Sequence, residues 1–417
     1  MPWSFIQDLN RRLSSVSPKR RIFLLIMVWA LFYGALIAFD ALYLRSYLYS
    51  NVGSPIDISF YRERTQGVLD GLWLYRDIPC ESPPLIVYFM IPAQLAGGSD
   101  LAYQIWFTIF VLLTSLTLYW ALRRYDDAKA FWVALLFLFI PTSMVETVFG
   151  MEDETIVVFV FILSIVLAVI GRLRWSAVAM TVGMWTKILN IFLAPFLWRA
   201  SKSWRERFIL LGIVLGLTFL ICLPFLIVCP EQFLRFPFYY SLNPGAGDRP
   251  TSNLNIWDFL SMGGLQLPSW FYQALTIIVL LMAYYFGLKR NRTILEGMLI
   301  VLTAFILVYP RTTASYFTFP IALLLIWGVE DRWLTIRCLI ISIPIYLSLF
   351  FTSNNSIGKP FIDWQYGWVV GVVLQLIVIV ILLDSVRVAL RKRNFVDRAL
   401  AAKDKVQADD QNAPVPD

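Results

Sequence analysis

Runs of about 20 apolar residues, separated by short polar or basic stretches, recur between residues 22 and 386. A run of that length crosses a bilayer as a helix, because the helix satisfies its own backbone where no water is present. The pattern predicts spans at 22–44, 101–121, 129–149, 155–171, 175–198, 207–229, 270–288, 294–309, 314–330, 334–352 and 365–386. Two segments break the regularity. Segment 83–97, PPLIVYFMIPAQLAG, is too short to cross and is broken by proline, so it is predicted as an interfacial or shallow helix on the outer side. Segment 175–198 has basic flanks at both ends, Arg172 and Arg174 before it and Arg199, Lys202, Arg205 and Arg207 after it. A segment with both flanks on one side must turn back. Lys187, Asn190 and Pro195 suit a broken, re-entrant pair of short helices there.

Charge fixes the expected orientation. With the remaining ten helices alternating, 26 of the 35 basic residues fall on one side, the side that the positive-inside rule assigns to the cytoplasm. Both termini are then cytoplasmic, and the helix at 22–44 is read as a retained first span rather than a cleaved signal. The predicted architecture is an all-α polytopic membrane protein with about ten transmembrane helices, a re-entrant pair and amphipathic helices on the outer face. Residues 1–21 form a basic cytoplasmic N-terminus. Residues 22–386 form the membrane domain, with long outer loops at 45–100 and 230–269. Residues 387–417 form a cytoplasmic tail, expected to be disordered.

Composition narrows the chemistry. At 59% hydrophobic, 15% charged and mean hydropathy +0.68, the 417 residues cannot cover a water-soluble globule. The net charge of +7 lies at helix ends, where it sets topology, so nucleic acid is not an expected partner. The four cysteines show no metal-type or disulfide spacing. Histidine is absent, which leaves carboxylates for acid–base work.

The carboxylates concentrate in segment 57–88, which holds Asp57, Asp70, Asp77 and Glu81 beside the first helix. Most of the chain is built to sit in lipid, where ionised groups are costly and usually functional, so a carboxylate cluster at the membrane surface is a candidate catalytic site. Asp57 could instead cap a helix. Asp77 and Glu81 could be solvated loop acids. Glu152, Asp153 and Glu154 begin a predicted helix, where negative charge complements the helix dipole in any case. Tyr61 lies four residues after Asp57 and would share its helix face, lining a site or simply packing. Lys187 is a deep cation that either lines a cavity or snorkels to the interface. Arg311, in YPRTTASY, ends a helix on the outer side. Most of the 16 tryptophans are expected as interface anchors, with Trp257 a candidate exception.

The order of these features resembles the C-type (GT-C) membrane glycosyltransferases, in particular polyprenyl-phosphate-mannose-dependent mannosyltransferases. The matching residues are Asp57 and Tyr61, Gly71 and Tyr75, Glu81 with Pro83, Pro84 and Leu85, Gly150 to Glu154, and Thr186 and Lys187 through Pro195. RFPF at 235–238 and NLNIW at 253–257 are similar to that fold's later outer loop. Met151 departs from the glutamine often found in the family. The first loop lacks a tight pair of aspartates, so a divalent metal stays open and no other cofactor is implied. The resemblance implies inverting transfer of a sugar, mannose by preference, from a polyprenyl-phosphate donor to a lipid- or glycan-linked acceptor hydroxyl on the outer face. Asp57 would be the general base. Tyr61, Tyr75, Asp77, Glu81, Glu152, Asp153, Lys187, Arg311 and Trp257 would contact substrates. The competing readings are a transporter of lipid-linked glycans and a glycan polymerase or ligase.

Overall fold

The computed structural model describes residues 16–47, 56–238, 255–265, 267–351, 362 and 364–402. Asp248, Arg249, the N-terminal Arg11 and Arg12, and the tail beyond 402 lie outside the described residues.

Every regular element among the described residues is a helix. Six are long and apolar enough to cross a membrane: Pro18–Tyr47, Asp100–Leu122, Trp204–Val228, Trp270–Gly287, Arg332–Leu349 and Gly367–Ala402. A seventh candidate, Asp127–Leu138 with Pro141–Phe149, bends by 47° where Ile140 and Pro141 interrupt the helix. The remaining apolar helices are short. Glu154–Val169 has 16 residues and Ile294–Val308 has 15, fewer than the spans read from the sequence. Both are sheathed by the longer helices, and most of their side chains are buried. A helix that meets protein rather than lipid need not match the bilayer's thickness.

Polar residues set the starts. Ser99, Asp126, Ser203, Asn255 and Asp331 each accept hydrogen bonds from backbone N–H groups of the following helix. Thr293 and Glu296 form a reciprocal capping box.

Polar contacts gather the chain's turning points into two ends. At one end, which holds the last described residues at each terminus, Arg21 pairs with Asp127, and Lys129 and Arg398 both pair with Glu330. Tyr125 donates to the Val169 carbonyl at 3.2 Å, and Lys392 reaches Asp331 at 3.1 Å. Arg199 donates to the carbonyls of Gly287, Lys289 and Arg292. At the opposite, loop end, Arg45 bonds Asp40 at 2.7 Å and Gln104 bonds Asp40 at 2.6 Å. Gln104 also reaches the Val148 carbonyl at 2.8 Å. Arg62 pairs with Asp100 there.

This arrangement makes a hairpin of residues 173–200. The helix Leu173–Met184 starts beside Arg172, whose guanidinium stacks over Trp120 at the terminal end. The chain reaches the loop end at Trp185, whose carbonyl accepts from Leu85 N–H at 3.0 Å. It then returns through a 3-10 turn, Ile188–Leu193, and the helix Ala194–Ala200. Thr186 Oγ1 donates to Gly183 O at 2.6 Å and closes the apex. Lys187 is extended (φ −156°, ψ 132°), and Asn190 fills the space beside Gly183, so close that a Cβ there would lie 2.3 Å from the amide.

Candidate functional site

The apex of that hairpin faces the loop end's carboxylates. Asp57 lies in the first turn of helix Ile56–Leu69, with an exposed side chain. It is hydrogen-bonded to Glu152 in the loop between the π-helical turn Val145–Phe149 and helix Glu154–Val169. That loop is held by Glu152 N–H donating to the Glu146 carbonyl at 2.9 Å. Met151 within it sits at φ +52° and is fully buried. A left-handed backbone at a long side chain costs roughly 1–3 kcal/mol and persists only where the surroundings hold it. Here it turns Glu152 and Asp153 toward the cluster.

Asp153 occupies the position before the helix, yet its carboxylate caps nothing. It points instead at Lys187 Nζ, 3.5 Å away, while Glu154 forms a tighter bond to the same ammonium. The helix-dipole reading therefore does not account for where these side chains point. Lys187 also lies 5.2 Å over the Tyr316 ring. Its charge and that of Arg311 both act on the Tyr309 hydroxyl, so the two cations share electrostatic reach of that residue. Tyr61 is buried beneath, within electrostatic reach of Asp57, Glu152, Asp153 and Glu154.

Glu81 is not a free loop acid. Arg64 grips it through both guanidinium nitrogens, at 3.1 and 2.5 Å, and stacks over Phe60. This fork ties helix Ile56–Leu69 to the Pro83-Pro84 turn, and the Glu81 charge still acts on Asp57. Tyr75, at φ +72°, donates to the Ser82 carbonyl at 2.7 Å and packs against Phe225, Phe233 and Phe236. These contacts shape the loop rather than the cluster. Asp77 pairs with Arg76 and accepts from Trp73 N–H, which together hold its carboxyl down at about 2. Trp257 packs on Phe271 and Tyr272 in a separate aromatic group beside helix Gly367–Arg391.

The carboxyls at the cluster's mouth, outside the spanning helices, are shifted upward. Asp57 is open to solvent at its surface, but the protein packed around it still desolvates its carboxyl and raises it, and the Glu154 charge adds to that; the hydrogen bond from Glu152 and the Lys187 charge act the other way. Burial, then the Asp57 charge, raises Glu152 well above the carboxylate range. Burial pushes Asp153 up to about 7 against the pull of Lys187. The consistent state is a protonated Glu152 donating to an ionised Asp57. Two carboxyls in contact cannot both ionise cheaply.

Several residues of the site carry no signal in the sequence. Arg64 lies 17 positions from Glu81. Glu146 accepts from the Tyr346 hydroxyl at 2.9 Å across 200 residues. It lines, with Glu154, Ser143, Thr114, Thr155, Ser315 and Thr318, a small cavity of about 10 Å³ just inside the cluster. Among the described residues, no group of three or more Cys, Asp or Glu is arranged to hold a metal ion. The cluster's carboxylates are engaged by Lys187, by Arg64 and by one another.

Fold and site together define an all-α protein whose helices can cross a membrane several times, with an acidic cluster at one end. No protein-family model and no curated protein matches the chain.

Proposed function

We propose that the chain transfers a sugar from a polyprenyl-phosphate donor to an acceptor hydroxyl at the loop end, as a membrane glycosyltransferase of the GT-C type. The observation that carries the reading is Asp57: an exposed carboxylate, held by a hydrogen bond to Glu152, beside the Lys187 cation. In the proposed step the acceptor O–H gives its proton to Asp57 as its oxygen bonds to the sugar's anomeric carbon. The bond from that carbon to the phosphate oxygen breaks, and the phosphate leaves with the electron pair. Attack opposite the leaving group inverts the centre. Arg311, whose charge acts with that of Lys187 on the Tyr309 hydroxyl, is the cation assigned to the departing phosphate. The hairpin at 173–200 is read as re-entrant, with its apex in the outer leaflet, and the loop end as the non-cytoplasmic face.

The test is transfer from radiolabelled polyprenyl-phosphate mannose in membranes carrying Asp57→Asn at matched expression. A loss of roughly 10²–10⁴-fold is expected for removal of a general base. Near-wild-type transfer would remove Asp57 from the mechanism. A transport reading needs a polar path between the two ends. The cavity inside the cluster is small, about 10 Å³, and is lined in part by Val111, Phe137 and Val158. Substrate movement with no new glycosidic product would favour transport all the same.

A further inference from the structure

We infer that the terminal end carries a second site, a cleft that binds the phosphate headgroup of an anionic membrane lipid. The cleft is lined by Pro195, Trp198, Arg199, Arg207 and Leu288, and its volume is about 560 Å³. That is within the roughly 300–1,000 Å³ of small-molecule sites. It lies where the returning arm of the hairpin meets the start of helix Trp204–Val228 and the end of helix Ser269–Gly287.

Three observations point to a phosphate with acyl chains. The first is charge. Arg199 spends its donors on three backbone carbonyls, which neutralise none of its charge. Arg207 stands 4.7 Å from the Trp204 ring centre and 5.6 Å from that of Trp198. Its Nε is buried without a hydrogen-bond partner. No ion pair to either arginine occurs among the described residues. The nearby acids form no ion pair with these arginines: Glu206 accepts Lys202 N–H and Glu296 is paired with Arg292. The second is the pair of tryptophans, whose rings meet edge to face at 79° and both stand against the guanidinium, leaving its edge for a fork-like contact to phosphate oxygens. The third is continuity with lipid-facing surface. Phe208, Leu211, Leu215 and Phe219 are exposed and follow one another at helical spacing from the cleft along Trp204–Val228. Only 11% of that helix's most apolar window is buried within the protein. A headgroup in the cleft would thus leave its chains lying on an apolar stripe, the arrangement by which basic pockets between membrane helices recognise acidic lipids.

The test uses native mass spectrometry of the full chain in detergent, titrated with phosphatidylglycerol and with phosphatidylcholine of the same acyl chains. Preferential retention of the anionic lipid is expected, about fivefold weaker in Arg207→Gln. The neighbouring exposed Arg205→Gln should bind as wild type. Equal retention of the two lipids by the wild-type chain overturns the proposal without any variant, so a misfolded Arg207→Gln does not shelter it. So does equal binding by wild type and a folded Arg207→Gln. Displacement of the lipid by millimolar inorganic phosphate would assign the cleft to a soluble anion and likewise overturn it.

Discussion

Two carboxyl groups joined by a hydrogen bond hold a proton between them, and at the loop end that pair is Asp57 and Glu152. Which one keeps the proton decides which can act as a base. Glu152 is the more deeply placed, and burial raises it further, so it donates and Asp57 accepts. Asp57 is itself raised, so transfer should increase with pH through an apparent pKa above the ordinary carboxylate value. Because the bond from Glu152 lowers Asp57, its loss should move that midpoint upward. Glu152→Ala should therefore shift the acid limb of the pH–rate profile to higher pH. Glu152→Gln, which keeps an N–H donor, should stay near wild type. Identical midpoints in the two variants would show that Glu152 does not donate to Asp57. At this scale the sequence displayed the acids but not their partners. Asp57, Glu81 and the 152–154 run are conspicuous in an apolar chain, whereas Arg64, Glu146 and Tyr346 acquire meaning only once distant helices meet.

Helices and turns decide whether Lys187 reaches its carboxylates, and the hairpin apex is the tightest element involved. Asn190 packs where a Gly183 side chain would stand, 2.3 Å from a built Cβ. Gly183→Ala should destabilise the detergent-solubilised protein by about 1–3 kcal/mol, the usual cost of overpacking. Gly183→Ala with Asn190→Ala should recover part of the loss, read as the thermal unfolding midpoint. A double variant less stable than Gly183→Ala alone would mean that the apex is not limited by that contact. The hairpin was legible beforehand because charge marks it: Arg172 and Arg199 bracket an apolar segment that contains Lys187 and Asn190, and alternation fails there. The π-helical turns at Asp40–Leu44 and Val145–Phe149 and the left-handed Met151 were not legible. Each depends on a tertiary partner, such as the Arg45 and Gln104 bonds to Asp40 that occupy the first π turn. The short buried helices were read as full spans for a related reason. An apolar run looks the same in sequence whether it faces lipid or protein.

Across the whole molecule, the two ends differ in kind. The terminal end is basic and laced with ion pairs between the helix connections; the loop end holds the carboxylates and the longer segments between spans. In the proposed orientation the positive-inside rule places the terminal end in the cytoplasm, and the proposed donor would meet Asp57 from outside. Impermeant thiol labelling of intact cells tests this directly, since all four native cysteines are buried and should give little background. Arg76, at 45% side-chain exposure in the first long loop, and Lys202, exposed in the turn after the hairpin, mark the two ends. Arg76→Cys should react before permeabilisation and Lys202→Cys only after it. The reverse pattern would put the carboxylate cluster against the cytoplasm. Asp57 could still be a base in that orientation, but the donor would have to be presented on the inner leaflet, and the cleft at Arg207 would face the outer one.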